Sequence, residues 1–247
     1  MLAVKQLALI LALAGSLLSA REGAQPKRVL FIGNSYTYFN NLPELVVRLA
    51  EAGGKGNLET AMAAPGGWRL KDHLNKGKAL ELLKSQRWDQ VVLQDHSTLG
   101  REVYIDGRIR VTSDADFQSA ATAWADRIRQ QGATPTFFLT WSRKTAPEDQ
   151  SLLTAAYARA AATEKGVLSP VGLAWRLARQ GGVEDELFHR DGSHPSPAGS
   201  YLAACTFYAT LYNANPEGLP ARIEGTPVRL ETGLADTGKR ETLVDLP

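Results

Sequence analysis

The stretch Arg28-Val29-Leu30-Phe31-Ile32-Gly33-Asn34-Ser35-Tyr36-Thr37 decides how the chain is read. A short apolar run that ends in glycine is the pattern of a strand buried on both faces. Helical spacing follows at Leu42, Leu45, Val46, Leu49 and Ala50, until Gly53–Gly54 stops it. A buried strand that leads straight into an amphipathic helix is half of a β–α–β unit. Repetition of that unit would build a parallel sheet.

The unit repeats. Leu58–Ala63 reads as a second strand, ended by Pro65-Gly66-Gly67, and Leu70–Ser85 as a helix with a ragged apolar face. Asp89–Gln94 is a third strand, Thr134–Trp141 a fourth and Val167–Val171 a fifth. Helices are expected over Asp114–Gln131, Pro147–Lys165, Gly172–Gln180 and Pro195–Asn213. Residues 95–113 lack helical periodicity and read as a long loop with a hairpin around Val103–Val111. The alternation predicts an α/β protein, a three-layer α/β/α sandwich with about five parallel strands. In such sheets ligands sit at the carboxyl ends of the strands.

With 247 residues, 44% of them hydrophobic, the chain can bury one full core unaided. Its net charge is +2, with acidic and basic residues mixed and no basic tract of the kind that binds nucleic acid. The one cysteine, Cys205, cannot form an internal disulfide and sits in an apolar helical pattern. Residues 1–20 combine Lys5, the apolar run Leu7–Ala14 and the small pair Ser19–Ala20, the layout of a secretory signal peptide cleaved near Ala20. The apolar run is short for a membrane span and Gly15–Ser16 interrupts it, so no stable membrane insertion is expected after cleavage. A secreted or periplasmic protein is therefore expected, with its main domain over 27–216. Residues 217–247, rich in Pro, Gly and Thr, read as an extension packed on that domain, with short strands at Val228–Leu230 and Thr242–Val244.

Two segments can carry chemistry. Ser35 lies two residues past the first strand, at the sheet's carboxyl edge, where free N–H groups of a following helix start could face a developing negative charge. Asp191-Gly192-Ser193-His194-Pro195 holds a base and a carboxylate three residues apart. A serine hydroxyl needs a base to take its proton, and that base needs a carboxylate to fix its tautomer. The same residues also serve as a helix cap and an exposed histidine in proteins with no active site. Metal binding is not expected, because no third ligand clusters with Asp191 and His194, and His73, His96 and His189 are scattered along the chain.

Gly33-Asn34-Ser35-Tyr36-Thr37 resembles the nucleophile block of the SGNH/GDSL hydrolases, and Asp191-x-x-His194 resembles their C-terminal block. The resemblance spans roughly Lys27–Asn213. It implies a flavodoxin-like fold, no cofactor, and hydrolysis of esters such as acetyl groups on carbohydrates or acyl groups on lipids. It also implies a triad of Ser35, His194 and Asp191. The oxyanion hole it implies is made by the N–H groups of Ser35 and Gly67 and a third side-chain donor. The family's Gly-x-Asn-Asp block is missing; the chain has Gln94-Asp95-His96-Ser97 there, similar to a branch that includes carbohydrate acetylesterases. The third donor is assigned to Gln94, with His96 and Ser97 competing on the same loop. Trp68, His96 and Trp141 are the candidates for substrate contact. The expected substrate is a small-molecule or polysaccharide ester. The competing reading is a non-catalytic exported carbohydrate-binding or lapsed-hydrolase module.

Overall fold

The computed structural model describes residues 25–99, 102–105, 108–111 and 113–247, with side chains outside 100–112. The expected signal peptide, residues 1–20, lies outside the described residues. In chain order the strands are β1 (Lys27–Ile32), β2 (Leu58–Ala63), β3 (Gln90–Leu93), β4 (Glu102–Ile105), β5 (Arg108–Val111), β6 (Thr134–Phe138), β7 (Val167–Ser169), β8 (Arg222–Gly225), β9 (Val228–Arg229), β10 (Leu234–Ala235) and β11 (Glu241–Asp245). The helices are α1 (Ser35–Tyr38), α2 (Leu42–Ala52), α3 (Leu70–Asn75), α4 (Lys78–Ser85), α5 (Asp114–Gln130), α6 (Gln150–Thr163), α7 (Val171–Gln180), α8 (Glu184–Leu187) and α9 (Pro197–Tyr212).

Five strands form one parallel sheet in the order β2-β1-β3-β6-β7. This is the flavodoxin-like order, and its direction reverses between β1 and β3, the point at which such sheets bind ligands. β1 shows why the fold has three layers. Its side chains alternate, so Val29 and Phe31 enter one core and Leu30 and Ile32 the other. The first core is closed by α2, α7 and α9, through residues such as Leu45, Trp175 and Phe207; the second by α3, α4, α5 and α6, through Leu70, Leu83, Trp124 and Tyr157.

The departures from the sequence pattern are local. The helix expected over Leu70–Ser85 is two helices, because Gly77 takes φ 80° between them. Pro147–Asp149 is a 3-10 turn ahead of α6 rather than its first turn. The short helices α1 and α8 carry too few residues to show a period. β4 and β5 form the antiparallel hairpin expected in the long loop.

Past residue 216, β8 pairs with β11 and β9 with β10, both antiparallel. Ile223, Leu243 and Val244 are buried in the core that α2 and α9 share. The same segment reaches the Ser35 side of the sheet. The Asn41 side-chain amide donates to Thr226 O at 2.8 Å, and the Tyr38 hydroxyl to Leu230 O at 3.1 Å. Among the described residues no helix is long and apolar enough to cross a membrane.

Candidate active site

β1 delivers Gly33-Asn34 to the sheet edge, and α1 starts at once with Ser35. Asn34 caps that helix, its side-chain oxygen accepting from Tyr36 N at 3.1 Å. Glycine is required just before it. A Cβ on Gly33 would lie 2.3 Å from Thr37 Oγ1 and 2.5 Å from Gln94 Oε1, far inside contact distance. The close approach lets Gln94 Oε1 accept from both Asn34 N and Thr37 Oγ1, each at 2.9 Å. The Ser35 turn is thus tied to the end of β3.

The structure brings Ser35, His194 and Asp191 into one hydrogen-bonded line. His194 Nε2 is 2.8 Å from Ser35 Oγ, and His194 Nδ1 is 2.7 Å from Asp191 Oδ2. Since Nδ1–H donates to the carboxylate, Nε2 is the acceptor for the serine proton. The loop sets this up locally: Asp191 Oδ1 accepts the N–H groups of Ser193 and His194, each at 2.9 Å, around Gly192 at φ 66°. A side chain at residue 192 would be strained there. Partial burial raises the Asp191 pKa, but the bonds from the His194 ring and the two N–H groups outweigh it and hold the carboxyl below its ordinary range. Asp191 therefore stays ionised beside the ring.

Aromatic packing fixes the base. Phe39 stacks on His194 with ring centres 4.2 Å apart, and Tyr36 meets it edge-on at 5.6 Å. Tyr36 is 2.7 Å from Ser193 through their hydroxyl oxygens. These contacts lay outside the sequence reading, since Phe39 sits in a turn with no periodicity. The scattered histidines also converge. His73 Nε2 donates to Gly33 O at 2.7 Å. His189 lies beside Asp191, its Nδ1 3.2 Å from the carboxylate. His96 lines the same cavity as Ser35. Among the described residues no three His, Cys, Asp or Glu side chains are placed to share a metal ion.

The cavity over Ser35 measures about 280 Å3, and its walls include Asn34, Tyr38, Gly66, Gly67, His96, Ser97, Arg143, Ser193 and His194. Gly67 follows from the turn Pro65–Trp68, closed by Trp68 N donating to Pro65 O at 3.3 Å. Gly67 and Ser35 N–H groups find no acceptor among the described residues, which leaves them free for an oxyanion.

Three expectations are corrected. Gln94 does not reach the cavity: it is fully buried, its Oε1 holds Asn34 and Thr37, and its Nε2 donates to Asp95 O. His96 and Ser97 are the residues of that loop that line the cavity. Trp141 offers no face to a substrate, because it is sandwiched between Tyr36 at 4.6 Å and Trp175 at 3.9 Å, with its Nε1 donating to Ser193 O at 3.0 Å. Trp68 lines a separate cavity of about 460 Å3, shared with Met62, Lys78 and Leu234.

A parallel sheet in flavodoxin-like order, with serine, histidine and aspartate joined at its carboxyl edge, defines an α/β protein of the serine-hydrolase type. The sequence matches no protein-family model and no curated protein. Solved structures do match. A proposed SGNH hydrolase from Slackia heliotrinireducens is 29% identical, over 76% of this chain and 100% of its own, with a TM-score of 0.62. The acetylxylan esterase Axe2 of Geobacillus stearothermophilus is 14% identical, over 78% and 96%, with a TM-score of 0.62. A lipase/acylhydrolase from Enterococcus faecalis is 18% identical, over 74% and 93%, with a TM-score of 0.56. The chain has the fold of the SGNH hydrolase superfamily.

Proposed function

We propose that the protein is a serine esterase that works through an acyl-enzyme. One observation carries this reading: the continuous line from Ser35 Oγ to His194 Nε2 and from His194 Nδ1 to Asp191. His194 takes the Ser35 proton as the oxygen attacks the ester carbonyl. Asp191, ionised, offsets the charge that forms on the ring. The N–H groups of Ser35 and Gly67 hold the tetrahedral oxyanion, with Ser97 or His96 as the third donor. His194 then protonates the leaving alcohol. In the second half it activates a water that releases the acid and restores the serine.

O-acetyl groups on carbohydrate are the substrate class we favour, and export the setting. The leader-like residues 1–20 and the likeness in fold to acetylxylan esterases support this reading. The polar walls of the Ser35 cavity also suit a sugar better than a long acyl chain.

Turnover of a small chromogenic acetate ester tests the chemistry. Wild type should turn it over, and Ser35→Ala should lose roughly 10⁴-fold or more. Equal rates for the two proteins would sink the proposal.

A further inference from the structure

Arg143 stands out within the cavity above Ser35. The chain leaves β6, buries Trp141 and Ser142, and then turns Arg143 toward the site. Two bonds hold this loop against the histidine loop: Lys144 N donates to Gly192 O at 2.8 Å, and Trp141 Nε1 to Ser193 O. The guanidinium is therefore positioned by the same residues that position His194.

It is also unspent. Arg48 is paired with Glu44 and Glu51, Arg69 with Asp72, and Arg179 with Glu184. Arg143 makes no ion pair or side-chain hydrogen bond among the described residues, and its Nε is buried with no partner. Among the residues lining the cavity no carboxylate answers it. The acid of the site, Asp191, is committed to His194 and to the N–H groups of its own loop. Its charge is felt inside the site: burial pushes the Tyr36 phenol up, and Arg143 is the foremost influence pulling it back. A buried N–H without a partner is costly and uncommon, and at a cavity wall a bound ligand is one way to satisfy it.

We propose that Arg143 receives a carboxylate carried by the substrate, so that the preferred ester is an O-acyl group on an acidic saccharide. The planar fork of a guanidinium matches a carboxylate by two parallel hydrogen bonds. A neutral sugar ester would leave that fork unpaired. This inference rests on the esterase reading above and deepens it: the triad supplies the reaction and Arg143 selects who undergoes it.

The test compares kcat/KM on an O-acetylated galacturonate disaccharide with that on O-acetylated xylobiose. Wild type should favour the acidic ester by about tenfold or more. Arg143→Gln should bring that ratio close to one, mainly through KM on the acidic ester, and Arg143→Lys should keep part of it. For wild type the ratio should also shrink as salt rises from about 0.05 to 0.5 M, which gives a readout that needs no variant. A wild-type ratio near one, a ratio indifferent to salt, or an Arg143→Gln that slows both esters by the same factor would overturn the assignment. A chromogenic acetate cleaved equally by wild type and Ser35→Ala would instead overturn the esterase reading itself.

Discussion

Two loops meet at Ser35, and they are built on opposite plans. The Asp191–His194 loop is local: its carboxylate, two N–H groups and its imidazole close on each other within four residues. The Gln94–Thr98 loop works at long range. Gln94 holds Asn34 and Thr37, Asp95 Oδ2 accepts from Leu70 N at 2.9 Å, and Asp95 N–H donates to the Tyr157 hydroxyl at 2.9 Å. The two aspartates show the contrast electrostatically. Asp191 is held below the ordinary carboxyl range. In Asp95 burial dominates and pushes the pKa up to about 6, against the N–H bonds from His96 and Leu70. One loop holds a stabilised charge, which the proposed mechanism uses; the other holds the scaffold and tolerates a carboxyl that resists ionising.

Breaking the local loop should have the largest effect. His194→Ala should lower kcat roughly 10⁴- to 10⁶-fold, as removal of the base does in a characterised serine protease, while the melting temperature hardly moves. Steady-state rates with thermal melts check both halves, and a large loss of stability would blur the division between the loops. Gln94→Leu should act differently. It leaves Asn34 N–H and the Thr37 hydroxyl without their acceptor, at a cost of about 1–3 kcal/mol each in a buried site. Stability and activity should fall together. A fall in kcat at an unchanged melting temperature would return Gln94 to the oxyanion hole.

The smallest effect concerns pH. Because the folded Asp95 carboxyl titrates near 6 rather than 3.8, the folded chain holds more protons than the unfolded one between those values. Asp95 therefore makes stability fall as pH rises through that window. Asp191 works the other way: its contribution is present above the ordinary value and is lost only as pH falls below it. Asp95→Asn should remove the Asp95 slope, changing the melting-temperature difference between pH 4 and pH 6.5 by roughly a few degrees. An unaltered profile would show that Asp95 carries no such proton.

The same division explains what could be read from the sequence. Strand β2 and helix α2 were legible to the residue: apolar side chains recur at helical spacing in α2, and Gly53–Gly54 and Pro65-Gly66-Gly67 close the two elements. So was the pairing of Asp191 with His194, which three residues and a glycine dictate. The amide of Gln94 was misread because its partners lie 60 and 57 positions away, and only the tertiary fold shows that its oxygen faces the nucleophile turn. Trp141 was misread for a related reason. A tryptophan past the end of a strand looks like a platform until Tyr36 and Trp175 are found on both of its faces. Phe39 carries no sequence signal at all, since its value lies wholly in the imidazole it touches.

Ser35 and His194 stand 159 residues apart. On the ribosome the serine emerges early and the histidine late. Through most of synthesis the hydroxyl has no base beside it. In the proposed mechanism its activation waits until the loop after α8 docks against Phe39 and Tyr36. On the proposed reading, the reactive group comes into being only as the fold closes around it.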